Sequence, residues 1–171
     1  LFIFGILFGF GFYVSGISWI SNSLTFDENF KVLIPFAIIL IPLFLSLFMG
    51  FTVLIIGPLL NYNISSIFIF SAALGFSDFL RAKLFSGFPW NLWAYSLSWI
   101  TELLQTLNLL GLFAFNLIVI TIFTLPIILF YQFPIIKKIS IIFLTVILVL
   151  CLYIYGNHEI NKNQNYLNTL N

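Results

Sequence analysis

Charge is what this sequence has least of. Of 171 residues only 6% are Asp, Glu, Lys or Arg, against about 25% in ordinary soluble domains. A soluble domain needs a charged exterior to stay dispersed, and this chain has none to offer. The six basic and five acidic residues leave a formal net charge of +1. They form no basic cluster of the kind that tracks a phosphate backbone, so nucleic acid is not an expected partner. One cysteine, Cys151, rules out an internal disulfide, and its setting among Leu, Ile and Val fits a small buried hydrophobe. One histidine, His158, has Glu159 beside it but no second His, Cys or carboxylate pair, so neither a metal site nor a cofactor is expected.

What is present is oil. The chain is 62% hydrophobic and 20% aromatic, with a mean hydropathy of +1.18. A spanning helix needs about 20 apolar residues, and five stretches qualify: 1–24, 32–60, 64–80, 109–131 and 139–155. The expected fold is all-α, a polytopic membrane bundle of about five transmembrane helices. In the first span Gly11, Ser15, Ser18 and Asn22 fall on one helix face, and Gly5, Gly9 and Gly16 thin a neighbouring one. Small residues let helix backbones approach closely in lipid, so helix packing is the expected role of these small-residue faces. Trp19 sits near the far end of that span, where an interfacial anchor belongs. Thr25–Lys31 reads as a polar loop, Pro42 and Pro126 as kinks, and Gln132–Lys138 as a tight basic loop.

One stretch departs from the rest. Between the third and fourth spans, Arg81–Asn108 carries Trp90, Trp93 and Trp99, a Gly87–Phe88–Pro89–Trp90 turn and Glu102. Trp concentrates where hydrocarbon meets headgroup, because the ring has an apolar body and one polar handle. The stretch therefore reads as an interfacial amphipathic segment, with Trp99, Ile100, Leu103, Leu104 and Leu107 as its apolar stripe and Thr101, Glu102, Gln105 and Thr106 opposite. Asp78 and Arg81, at i, i+3, share a face and can pair. Each would cost about 2.5–3.5 kcal/mol deep in hydrocarbon, so a surface salt bridge at the membrane boundary is one reading. The other is that the Arg81 fork binds a phospholipid phosphate, with Asp78 steadying it and Pro89 presetting Trp90 against lipid. Gly156–Asn171, rich in Asn, reads as a linker leaving a transmembrane domain that covers 1–155.

Several of these pieces resemble one family, the bacterial apolipoprotein N-acyltransferases. Gly9–Phe10–Gly11–Phe12 followed by Ser15–Gly16–Ile17–Ser18–Trp19 is similar to the family's glycine-rich membrane helix ending in G-[IV]-S-W. Asp78–Phe79–Leu80–Arg81 resembles its [ED]-x-x-R element, and Phe85–Ser86–Gly87–Phe88–Pro89–Trp90 with Tyr95–Ser96 its G-F-P-W…Y-[ST] signature. Gln105 and Gly111 keep its Q-x5-G spacing, whereas Phe113 stands where the family often has an acid.

The resemblance implies a transferase. It moves an acyl chain from a membrane phospholipid to the N-terminal diacylglyceryl-cysteine of lipoproteins, through a thioester on a cysteine of a nitrilase-like domain outside the membrane. It implies a place in the cell inner membrane, with 81–108 and the tail 156–171 periplasmic. The expected lipid-binding residues are Asp78, Arg81, Phe88, Pro89, Trp90, Tyr95 and Gln105. The nitrilase-like domain would follow Asn171 and two more helices would precede Leu1, so this segment alone, with no catalytic residue of its own, is expected to be inactive. The rival readings are a transporter or channel subunit, which the near absence of polar stripes disfavours, and a structural anchor for a soluble partner.

Overall fold

The computed structural model describes residues 1–84 and 87–169, with side chains through Gln164. It is 86% helical, with no strand among the described residues. Phe85 and Ser86 of the turn signature, and Leu170 and Asn171 of the tail, lie outside the described residues. Five stretches are long and apolar enough to cross a membrane: Phe2–Thr25, Glu28–Leu59, Ile64–Lys83, Leu112–Phe130 and Ile135–Gln164. The chain forms two compact units, Leu1–Asn61 with Ala72–Asn91, and Tyr62–Ser71 with Leu92–Asn171.

The first unit is built on α1 (Phe2–Ile17), α2 (Ile34–Ile56) and the second half of α3 (Ile64–Lys83). α1 continues as a 3-10 turn to Thr25, and Glu28–Leu33 leads into α2 as another, with the Asp27 carboxylate accepting the Asn29 N–H at 2.9 Å. Pro42 lies inside α2 without ending it, and Ser46 and Thr52 return their hydroxyls to the carbonyls of Leu43 and Phe48. Those bonds keep polar groups satisfied where no water is on hand.

α1 and α2 meet through glycine. A Cβ on Gly5 would stand 2.8 Å from Gly50 Cα, and one on Gly9 would stand 2.9 Å from Met49 Cβ. Gly5 and Gly9 are buried, whereas Gly11, Ser15, Ser18 and Asn22 are exposed, and nothing lies within 4 Å of a Cβ on Gly11. The packing face is therefore the neighbouring one, not the Gly11 face. Both faces are lined with small residues, and the matching hollow at Gly50 on α2 decides between them.

The second unit contains the first half of α3, α4 (Thr101–Leu104), α5 (Thr106–Leu110), α6 (Leu112–Thr124) and α7 (Ile135–Thr169). Its core is Ala94, Leu103, Phe115 and Val119, closed over by Trp93, Ile100, Leu107 and Leu152. The apolar stripe thus turns inward at Ile100, Leu103 and Leu107, while Trp99 stays exposed. It is not one helix, however. The chain breaks at Gln105 between α4 and α5, and Thr106, expected on the polar side, is fully buried with its hydroxyl on the Leu103 carbonyl at 2.6 Å. A 100° period does not carry through such a joint.

Gly111, at φ +76°, separates α5 from α6. Pro126 opens a 3-10 turn, Leu125–Phe130, directly after α6. α7 is longer than expected at both ends. It continues past Tyr155 because Gly156 leaves no side chain where α4 passes: a Cβ there would fall 1.7 Å from the Glu102 carbonyl oxygen. The change of composition at 156 is not a change of secondary structure.

Candidate functional site

The candidate site is the end of α3 and the loop after it. α3 carries two charges into the interior of the first unit: Asp78 is 2% exposed and Arg81 1%. Helical i, i+3 spacing sets them together, with Arg81 Nη2 donating to Asp78 Oδ1 at 3.0 Å. This is a buried pair, not the surface bridge that the boundary position allows. A buried pair contributes only where its remaining donors are satisfied, and the loop satisfies Nη1 of Arg81. Nη1 donates to the carbonyls of Phe88 and Trp90, both at 2.7 Å.

The two carbonyls bracket Pro89, which fixes its own φ and has no N–H to give. The Phe88 N–H returns to the Arg81 carbonyl at 3.1 Å, so Arg81 holds Phe88 from its side chain and its backbone together. The ring of Tyr13, itself fully buried on α1, lies 5.2 Å from the guanidinium carbon, a cation–π contact. Arg81 Nε is buried and has no hydrogen-bond partner among the described residues.

The turn that delivers the loop needs glycine at 87. Gly87 has φ +78°, its N–H bonds the Leu84 carbonyl at 2.9 Å, and a Cβ there would stand 2.6 Å from the Ala82 carbonyl. Beyond Trp90, Asn91 takes φ +57° and its amide donates to the Phe12 carbonyl at 3.3 Å. It fits because position 16 is glycine: a Cβ there would fall 2.1 Å from Asn91 Nδ2. Asn tolerates this left-handed backbone better than most residues. Pinned on both sides, Trp90 is 53% exposed and packs edge to face on Trp19, 54% exposed, at 5.9 Å between ring centres.

Of the residues expected from sequence, Asp78, Arg81, Phe88, Pro89 and Trp90 form this one assembly. Its chemistry differs from the expectation at Arg81, whose Nη1 protons are spent on carbonyls and whose side chain is buried. In this arrangement Asp78 and Arg81 position the loop, and Trp90 is what the loop presents. Sequence reasoning missed Tyr13, Gly16, Trp19 and Asn91 as members of the site. Trp19 carried a usable sign, since it closes the G-I-S-W element as Trp90 closes F-P-W.

Tyr95 and Gln105 belong to the second unit. Tyr95 is 39% exposed on the 3-10 turn Trp93–Leu97, and Gln105 donates weakly to the Thr101 carbonyl at 3.4 Å. There the buried Asn116 accepts the Ala94 N–H at 3.0 Å, and Trp93 packs on Phe123 at 6.3 Å. Glu102 accepts the Tyr153 hydroxyl at 3.1 Å. Its own backbone N–H first, and that hydroxyl second, hold its carboxyl below the usual carboxylate range. No group of three or more His, Cys, Asp or Glu side chains gathers among the described residues, and Cys151 is exposed on α7.

Fold and site together define a class: a polytopic helical membrane protein that holds an aromatic loop on a buried arginine. Residues 1–125 match the family model described as the apolipoprotein N-acyltransferase N-terminal domain. The chain belongs to the apolipoprotein N-acyltransferase family. It is 38% identical over 109 residues to the apolipoprotein N-acyltransferase of Agrobacterium fabrum, covering 63% of this chain and 21% of that protein. With the protein of the same name from Brucella melitensis it shares 36% over 106 residues, 61% of this chain and 20% of the relative. With that of Rickettsia bellii it shares 34% over 116 residues, 67% and 23%. The matches thus take in about a fifth of the length of these curated relatives. No solved structure matches the chain.

Proposed function

We propose that this chain is membrane-embedded machinery of an enzyme that transfers an acyl chain from a phospholipid to the N-terminal diacylglyceryl-cysteine of lipoproteins. Its contribution is the loop 87–91, which offers Trp90, backed by Trp19, to the lipid substrate from the periplasmic side of the inner membrane. The observation that carries this reading is the pairing of an exposed indole with a buried arginine whose Nη1 holds the two carbonyls on either side of Pro89. A belt tryptophan needs only to lie at the interface, and a flexible tether would serve it. Here two carbonyls, a buried ion pair, a left-handed glycine and a left-handed asparagine fix one indole in place. Such preorganisation lowers the entropy of engaging a partner. The nucleophile and base of the transfer are supplied by parts of the enzyme outside these residues, with 156–171 leading towards them. Cys151 is exposed on an apolar helix, and among the described residues it joins no group of three or more His, Cys, Asp or Glu side chains of the kind that activates a nucleophile.

The test is made in the intact protein in phospholipid nanodiscs, with acyl transfer to a diacylglyceryl-cysteine peptide as readout. Trp90→Ala is expected to lose roughly tenfold in rate, the equivalent of about 1.4 kcal/mol, at unchanged folding. Trp99→Ala serves as control, being 78% exposed with its indole N–H on the Ser96 carbonyl at 3.0 Å; it should lose little. The 171 residues alone are expected to transfer nothing. Equal rates for Trp90→Ala and wild type would reduce the loop to an anchor, and turnover by the 171 residues would overturn the division of labour.

A further inference from the structure

The first unit also contains a groove that the loop does not use. It lies between α2 and α3, has a volume of about 490 Å3, and is lined by Phe44, Phe48 and Phe51 on one side and by Ala73, Phe76 and Leu80 on the other. That volume is within the about 300–1,000 Å3 of ordinary small-molecule sites. Its chemistry is wholly apolar. The two hydroxyls in its wall are turned away from a ligand, since Thr52 and Ser77 both donate to the Phe48 carbonyl, at 2.7 and 3.3 Å. All of its walls fall within two of the stretches apolar enough to span a membrane.

Length separates the possible occupants. Along α2 the lining runs from Phe44 to Ile56, about 18 Å at 1.5 Å per residue. That is close to one leaflet, half of a hydrocarbon core about 30 Å thick. A spanning helix would need a groove nearly twice as long, whereas one acyl chain fits. Charge then fixes which end carries the headgroup. Lys83 is exposed, stands three residues beyond Leu80 and seven beyond Phe76 on that side of α3, and has no carboxylate within ion-pair distance among the described residues. Its ammonium is held 6.0 Å from the centre of the Phe79 ring. By contrast Lys31 pairs with Glu28, and Arg81 with Asp78.

We propose that this groove is a binding site for one anionic phospholipid, with an acyl chain between α2 and α3 and the phosphate on Lys83. The site binds whether or not acyl transfer takes place, so its test uses no turnover and its failure is separate from that of the proposed activity. The probe is phosphatidylglycerol carrying a diazirine on one acyl chain, irradiated with the intact protein in nanodiscs and mapped by peptide. The expected adducts lie on 44–56 and 73–80. Ala73→Trp, which fills the groove, should abolish most of them. Lys83→Gln should reduce them roughly fivefold, the scale of one lysine at an anionic headgroup. A diazirine diacylglycerol, which has no phosphate, should label less and be indifferent to Lys83→Gln. Adducts spread evenly over exposed faces such as 139–150, and unchanged in both variants, would mean annular lipid only and overturn the proposal. No adducts in the groove at all would mean that a protein segment covers it, and would overturn the proposal equally.

Discussion

Replacing both members of the buried pair distinguishes two reasons for its existence. If Asp78 and Arg81 are there only to neutralise each other, removing both charges should be harmless. Replacing a buried ion pair by apolar side chains of similar size is often neutral, or stabilising by about 1–4 kcal/mol. If Arg81 is there to hold the loop, Asp78→Leu with Arg81→Met leaves the carbonyls of Phe88 and Trp90 without the donors that now reach them at 2.7 Å. The two carbonyls belong to a half-buried and an exposed residue, so each unmet acceptor falls at the low end of the about 1–3 kcal/mol for a buried one, and the double variant should be destabilised by roughly 2 kcal/mol. Arg81→Met alone also takes the neutralising guanidinium away from the buried Asp78 carboxylate, on the scale of about 3–5 kcal/mol for a broken buried pair. Arg81→Lys keeps the charge but concentrates its donors on one nitrogen. It can serve Asp78 or one carbonyl, and loses at least one charge-assisted bond worth about 1.5–3 kcal/mol.

Stability alone would not locate the damage. Hydrogen exchange does, because the Gly87 and Phe88 N–H groups are bonded to the Leu84 and Arg81 carbonyls in this loop. In the intact protein, the double variant should lose protection at 87 and 88 while the amides of α2 keep theirs, and acyl transfer should fall with the loop. A double variant that retains protection at 87 and 88 and unfolds near the wild-type temperature refutes the clamp. Arg81 would then be a charge partner and nothing more.

The five spans were legible because hydropathy and length are local properties of the chain, and so was the aromatic segment between the third and fourth. Five of the residues singled out in the sequence, Asp78, Arg81, Phe88, Pro89 and Trp90, come together in one assembly, but the arrangement itself was not legible. Nothing in the sequence says that the Arg81 fork closes on backbone carbonyls, because every residue has a carbonyl and none carries a sequence mark. For the same reason its burial was hidden: a charge near a helix end looks like a boundary residue until its donors are followed. Gly16 and Asn91 are 75 positions apart, and the need for glycine at 16 exists only because an amide from the other end of the unit arrives there. The course of α7 past Tyr155 is of the same kind. An Asn-rich tail reads as solvated, and only the groove that Gly156 opens for α4 explains why the helix carries on.

Two further expectations follow from the packing and from the charges in the loops. If Lys137 and Lys138 mark a cytoplasmic loop by the excess of basic residues found there, a cysteine at Gln132 or Ser140, in a Cys151→Ala background, should resist a membrane-impermeant thiol reagent in intact cells. One at Asn29 or Asn163 should react, and the reverse pattern would put loop 87–91 on the cytoplasmic side and sink the periplasmic assignment. The second concerns the two small-residue faces of α1, which the structure ranks by what a single added carbon would meet. On Gly5 a Cβ meets the backbone of α2, Gly50 Cα and the Met49 carbonyl oxygen, each at 2.8 Å, and neither can swing aside as a side-chain tip could. Gly5→Ala should therefore force α1 and α2 apart and cost about 1–3 kcal/mol, the usual scale of overpacking, seen as a lower Tm in detergent. Gly11→Ala adds its methyl to open space and should leave Tm unchanged or slightly raised, since alanine loses less backbone freedom in a helix than glycine does. Were Gly11→Ala the more damaging of the two, the Gly11–Ser15–Ser18 face would be a packed interface, and the pairing of α1 with α2 through Gly5 and Gly50 would be the wrong account of the first unit.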